Sequence, residues 1–325
     1  MICPSSLDSR RARRLLADLL VGGAFVAVVS TSTAEAAGAR TQVPPAAVKA
    51  GYLIETFSSR PPFSRNIDTS PNPTSSGKWL LWNFLGVEEK ASSIKPQPDG
   101  SVVIASTNNG TITSARKLGE APFFKGVAFG CGAYFEATFS FDPTLVDLNR
   151  GWPSWWKMSI EHLIGKGEQW KGRPPGYDHF FELDTFEYNR ASDDDRTFGF
   201  TVSEWYGIWG RTCGALQYCV NRSPYADSTL RAPPGTDWTK PHKFASLWRP
   251  SRNGAAGEFS FFLDDVQVGP SIKYVARKDS DPEKHPDFGV ADRQHLVMIL
   301  GSGSAPMRIY SAHVWQGPEA CNLVN

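Results

Sequence analysis

The sequence predicts an all-β protein, a sandwich or barrel built of many short strands. Three observations predict it. From Trp79 onward the chain is a succession of short apolar or alternating runs, each closed by Gly, Pro, Asn or Asp, the pattern of strands joined by turns. Helical periodicity is scarce, and no strand–helix–strand rhythm emerges. Aromatic residues make up 12% of the chain, with 20 Phe and 11 Trp, enough for a broad interior, an aromatic-lined cleft or both.

The elements follow in order. Residues 58 to 77, rich in Ser, Pro, Asn and Thr, read as a long loop. Lys78–Phe84 and Ser101–Ala105 read as strands. In Ala133–Phe141, Phe135, Ala137, Phe139 and Phe141 alternate with Tyr134, Glu136, Thr138 and Ser140, so one face is apolar. Leu145–Leu148 is at most a turn. Strands are expected at Trp156–Ile160, Asp178–Tyr188, Thr197–Val202 and Lys243–Trp248. Glu258–Leu263 and Val266–Val268 read as a hairpin around Asp264-Asp265. Gln294–Leu300 is apolar without alternation, as expected of a strand covered on both faces. Met307–Trp315 closes the domain. The expected organisation is a leader over residues 1–39, a linker over 40–50 and one domain over 51–325.

The leader is read from Arg10, Arg11, Arg13 and Arg14, the mostly apolar run Leu15–Val29, and the small residues Ala34-Glu35-Ala36 or Ala37-Gly38-Ala39. Asp18 and Gly22-Gly23 make a membrane span the weaker reading. Export to a secreted or periplasmic location is therefore expected, by the general or the twin-arginine route, with no membrane attachment after cleavage. Cysteine usage agrees with export. Cys131, Cys213, Cys219 and Cys321 remain after the leader and allow three pairings. Cys213 with Cys219 could staple a loop, and Cys131 with Cys321 would then tie the chain's end to the body. No CxxC, HExxH or close His pair occurs among these cysteines and the six His, so no metal ligands are assigned. Without the leader the chain carries thirty cationic and thirty acidic side chains. That balance disfavours a nucleic-acid surface or electrostatic docking on anionic lipid.

The segment Asp178–Asn189 carries the chemistry. Residues two apart on a strand share a face, so Glu182 and Asp184 point one way while Phe181, Leu183 and Thr185 point to the core. Glu187 is five residues beyond Glu182 and falls on the wrong face unless one residue is inserted. A β-bulge near Thr185-Phe186 restores the parity and puts three carboxyls in a row. Crowded acids raise one another's pKa, and retaining glycoside hydrolysis uses that: one carboxylate is the nucleophile, a second the acid and then the base.

Glu182-Leu-Asp184-Thr-Phe-Glu187 resembles the signature of glycoside hydrolase family 16, in its laminarinase-like branch. Gly132-Ala-Tyr134-Phe-Glu136-Ala is similar to the family's early strand. Trp152-Pro-Ser-Trp155-Trp156 is similar to the segment upstream of the acids. Phe244–Pro250 with Phe261–Asp265 resembles its late pair of strands. The resemblance runs from about residue 52 to 317 and implies a two-sheet β-sandwich jelly roll, the concanavalin A-like lectin/glucanase fold. It also implies Glu182 as nucleophile, Asp184 as the residue that orients and tunes it, and Glu187 as general acid/base. One departure is Phe181, where bulged relatives usually carry Gly.

Sugar rings stack on exposed aromatics. Trp152, Trp155 and Trp156 precede the acids, and Trp205 and Tyr206 follow them. The resemblance favours Trp156 as the sugar platform, with Trp205 next. His179 is a further candidate, although three residues from Glu182 it belongs on the other face. Gly301-Ser-Gly-Ser304 reads as a turn or cleft-lining loop. The expected function is a monomeric, exported, retaining endo-β-glycosidase acting on β-1,3- or mixed-linkage glucan, a polysaccharide partner. No cofactor is expected, and a structural calcium is allowed without a readable ligand set. The alternatives are a glycan-binding protein without turnover, a transglycosylase, or a hydrolase of agar- or carrageenan-type galactans. Lys171, Arg173, Arg190, Arg196 and Arg211 speak for the galactans.

Overall fold

Alternation gives each strand one apolar face, and two such sheets bury them against each other. The computed structural model describes residues 42–74, 77–105, 110–119, 123–165, 170, 172–189, 195–208, 219–277, 280–281 and 287–325. The expected leader, Cys213, Lys171, Arg190 and Arg211 lie outside the described residues. One sheet runs, in spatial order, Val266–Tyr274, Gly257–Leu263, His242–Arg249, Ala133–Phe141, Met307–Gln316, Val102–Ile104 and Ile94–Pro96, with Ile54–Ser59 also paired to Met307–Gln316. The other runs Cys219–Arg231, Thr197–Ile208, Tyr177–Glu187, Ser154–Ser159, Leu296–Gly301, Ile112–Thr113, Trp79–Leu81 and Ile67–Asp68. Pairing within both is antiparallel, except between Ile67–Asp68 and the strand from Trp79. The protein is an all-β, two-sheet sandwich, as the sequence predicts.

Phe residues fill the space between the sheets. Phe135, Ala137, Phe139 and Phe141 of the alternating strand meet Phe181, Leu183 and Phe186 of the acid strand Tyr177–Glu187. Phe244 links the two layers, 4.3 Å from Phe139 and 4.4 Å from Phe186 between ring centroids. Each fully buried ring of this size contributes about 1.5–3 kcal/mol of transfer free energy. Phe181, the departure from the resemblance, stacks on Phe259 at 5.3 Å. Its bulk is absorbed by the core. Leu296–Gly301 is covered on both sides, with Leu296, Met298 and Leu300 in the inter-sheet core and Val297 and Ile299 in a cluster on the sheet's outer face.

The expected hairpin forms around Asp264 and Asp265, whose φ values of 49° and 66° give the left-handed pair that tight hairpins need. Cys131 and Cys321 form a disulfide with a Cα–Cα distance of 5.5 Å. Only the backbone of Cys219 is described.

Three features differ from expectation. Residues 45–50, read as part of a linker, form a helix with Pro45 in its first turn and Gly51 at φ 80° closing it. Its Ala47 is buried with Tyr52, Tyr134 and Trp315 on the outer face of the first sheet. Six residues are too short for a periodicity to register. Cys219–Arg231, unmarked in the sequence, is the edge strand beside Thr197–Ile208. Its polar composition and Pro224 are what an edge tolerates and a central strand does not. Ile54–Ser59 overlaps the start of the region read as a loop.

Candidate active site

The bulge forms where parity requires it. Trp155 pairs with Phe186 and Trp156 with Asp184, which leaves Thr185 as the extra residue. Across the other neighbour, Asp184 faces Thr201 and Glu187 faces Gly199, so two residues, Thr185 and Phe186, oppose one, Phe200. Thr185 and Phe186 both turn inward, toward Ser246 and Phe244 of the opposite sheet. Glu182, Asp184 and Glu187 are thereby brought to the outer face of the second sheet.

Directly opposed residues in an antiparallel pair share a face. Glu182 is flanked by Met158 and Ser203, and Asp184 by Trp156 and Thr201. Two indoles hold the outer acids. Trp205 Nε1 donates to Glu182 Oε2 at 2.6 Å, and Trp152 Nε1 donates to Glu187 Oε1 at 3.1 Å. Trp156 lies on the same face at 8% exposure, packed on Trp82 at 5.8 Å, so little of its ring is open to a ligand.

The electrostatics follow from burial. Loss of water pushes the Glu182 carboxyl up to about 7; the Glu187 charge adds to this, while the Trp205 bond and the Arg222 charge oppose it. Asp184, with 6% exposure, is pushed well above the ordinary carboxylate range, first by burial and then by Glu182 and Glu187. Lys157 and Arg222 oppose that rise. Burial and mutual repulsion thus raise the proton affinity of Glu182 and Asp184, the direction that acid–base chemistry near neutrality requires.

The candidate sugar contacts divide. Trp152, Trp156 and Trp205 join the acids. Trp155 does not: it is fully buried between the sheets, 6.3 Å from Trp79. It and Trp156 are consecutive residues of one strand and so face opposite sides. His179 is likewise on the inner side, fully buried, with Nε2 2.8 Å from Glu204 Oε2. Tyr206 pairs directly with His179 and shares its side. The structure sets these three on the side of their strands turned away from the acids.

The sequence reading did not assign several neighbours of the acids. Arg222 reaches from the edge strand to Ser203 Oγ at 3.0 Å and Thr201 Oγ1 at 3.2 Å, its guanidinium 5.6 Å from the Trp205 ring. Its strand carries no alternation signal, which hid it. Asp178, at the other end of the acid row, bonds His162 Nδ1 at 2.7 Å. The parity that places Glu182 also places Asp178, so that signal was present. In the Gly301–Ser304 turn, Ser304 Oγ donates to Gly151 O at 2.9 Å, next to the residue that carries Trp152. Among the described residues no group of three or more His, Cys, Asp and Glu side chains is arranged to hold a metal ion.

No family model matches the chain, and no curated protein matches it. Solved structures do resemble it. An endo-1,3-β-glucanase from Streptomyces sioyaensis is 14% identical, with 84% of this chain and 97% of that one covered and a TM-score of 0.44. The exoplasmic/lumenal domain of VIP36 in its Ca²⁺-bound form is 11% identical over 82% and 96%, at 0.36. A legume lectin-like domain from Entamoeba histolytica is 10% identical over 69% and 86%, at 0.32. Likenesses this distant transfer neither family nor activity.

Proposed function

We propose that the protein is an exported, retaining endo-β-glycosidase that hydrolyses β-1,3- or mixed-linkage glucan. The observation that carries this reading is the bulged acid strand, which sets Glu182, Asp184 and Glu187 on one face, with indole donors on the outer two. Glu182 attacks the anomeric carbon while Glu187 gives its proton to the departing glycosidic oxygen. Glu187 then takes a proton from water, whose oxygen displaces Glu182 and restores both groups. Asp184 is assigned the orienting role from its position: it is buried two residues from Glu182 on the same face, and the Glu182 charge helps push its own carboxyl up. Trp152, Trp156 and Trp205 border the substrate.

Export is part of the proposal, and the Cys131–Cys321 bridge supports an oxidising compartment. N-terminal sequencing of the mature protein checks the removal of residues 1–39. Arg222 beside the acids favours one second reading, an anionic galactan as substrate. A polysaccharide panel assayed for new reducing ends tests both. We expect cleavage of β-glucan, and losses on the order of 10²–10⁴-fold in Glu182→Gln and Glu187→Gln. Activity persisting in both variants refutes the mechanism. Glycan affinity without turnover in the wild type assigns the site to binding instead.

A further inference from the structure

Lys157 has no exposure and is set between the two sheets directly behind the acid strand. It follows Trp156 in sequence, so it points inward where Trp156 points out. Its Nζ donates to Thr185 Oγ1, the hydroxyl of the bulge residue, and to Ser246 Oγ on the opposite sheet at 3.2 Å. Thr185 Oγ1 in turn donates to Ser246 Oγ at 2.9 Å. The ammonium lies 4.1 Å from the Trp155 ring centroid and 5.3 Å from that of Phe135, an aromatic lining that favours a cation. Burial pushes its pKa well below the ordinary lysine value, and only the Asp184 charge opposes this. Desolvating a lysine in a phenylalanine core costs free energy that an apolar residue would not. What stands in return is a closed triangle of Lys157, Thr185 and Ser246, anchored on the single residue that makes the acids' parity.

The geometry points to Lys157 as a positioning residue: by holding Thr185 inward it pins the bulge and sets where Glu187 lies relative to Glu182. The inference rests on the proposed mechanism for its catalytic meaning, but its structural content can be read without substrate. Trp152 bonds Glu187, beyond the bulge, and Trp205 bonds Glu182, before it. The two indole N–H resonances therefore report on the two sides separately.

The test compares wild type with Lys157→Met, which keeps length and volume but removes the donors. It adds Thr185→Val, which removes the hydroxyl, and Thr185→Ser, which keeps it. In ¹H–¹⁵N spectra we expect the Trp152 indole to shift in Lys157→Met and Thr185→Val, with Trp205 unmoved, and Thr185→Ser to restore the wild-type position. On glucan, kcat should fall about 10²-fold, the scale of an ångström-sized misplacement, with KM within about twofold. Both indoles unmoved in a folded variant, or both moved alike, overturns the inference. If Lys157→Met does not fold, the Val and Ser pair at Thr185 decides by the same readout. A wild type inactive on every glycan sinks the proposed function, while the indole comparison still judges the role of Lys157.

Discussion

Trp205 shows how one side chain can govern a neighbour's charge. Its indole bond is the largest influence holding the Glu182 carboxyl down against burial. In the proposed mechanism Glu182 is the nucleophile and must be ionised, so kcat/KM should rise as pH increases through about 7, the value to which Glu182 is pushed. Trp205→Phe keeps the ring and loses the donor. Glu182 then holds its proton to higher pH, and the acidic limb of the rate profile moves upward. A profile unchanged in that variant would remove Trp205 from this role. Gly303 is a second control point. Its φ is 51°, and a Cβ there would come within 2.2 Å of the Trp152 backbone nitrogen. Gly303→Ala must displace the turn or Trp152, at a cost of about 1–3 kcal/mol. Denaturant titration should show that loss, and glucan assays a lower kcat as the Trp152–Glu187 bond is disturbed.

At the scale of elements, the acid strand is held mainly by what lies behind it. Phe186, the residue after the bulge, is fully buried and lies within 5.4 Å of the rings of Phe139, Phe198 and Phe244. Phe186→Ala should cost about 3–5 kcal/mol in urea unfolding. A loss below about 1 kcal/mol would mean that the strand is secured elsewhere. The same strand shows what a sequence discloses. Alternation and an odd spacing between Asp184 and Glu187 were enough to locate the bulge, because face and parity are local properties of a chain. Trp155 and Tyr206 lie on the side away from the acids, which the sequence does not disclose, because an aromatic side chain reads the same whether it meets a sugar or another ring. Arg222 went unseen because an edge strand need not alternate. Lys157 went unseen because a lysine normally reports exposure, and only the opposite sheet supplies its partners.

In the whole molecule, both sheets bury acids on the faces turned away from each other. On the first sheet Glu136, at 4% exposure, has its carboxyl pushed up to about 7 by burial, against the Lys243 charge. The folded value exceeds the unfolded one, so the folded state binds the proton more tightly. That stabilisation is complete below about 4.5 and is lost as pH rises through about 7. Glu136→Gln removes the ionisation. Its Tm at pH 8 should exceed that of the wild type, while the two should nearly coincide at pH 5. Equal Tm differences at both pH values would show that Glu136 does not carry this dependence.

Strand parity also bears on how such a site is inherited. Loss of one codon between Asp184 and Glu187 straightens the strand and leaves the three acids facing outward, two residues apart. Loss of the codon for Leu183 turns Glu182 inward relative to the others and puts a carboxyl among phenylalanines. Along this stretch only the bulge can absorb a length change without inverting the chemistry. The kinked and straight forms of the acid strand are therefore one deletion apart.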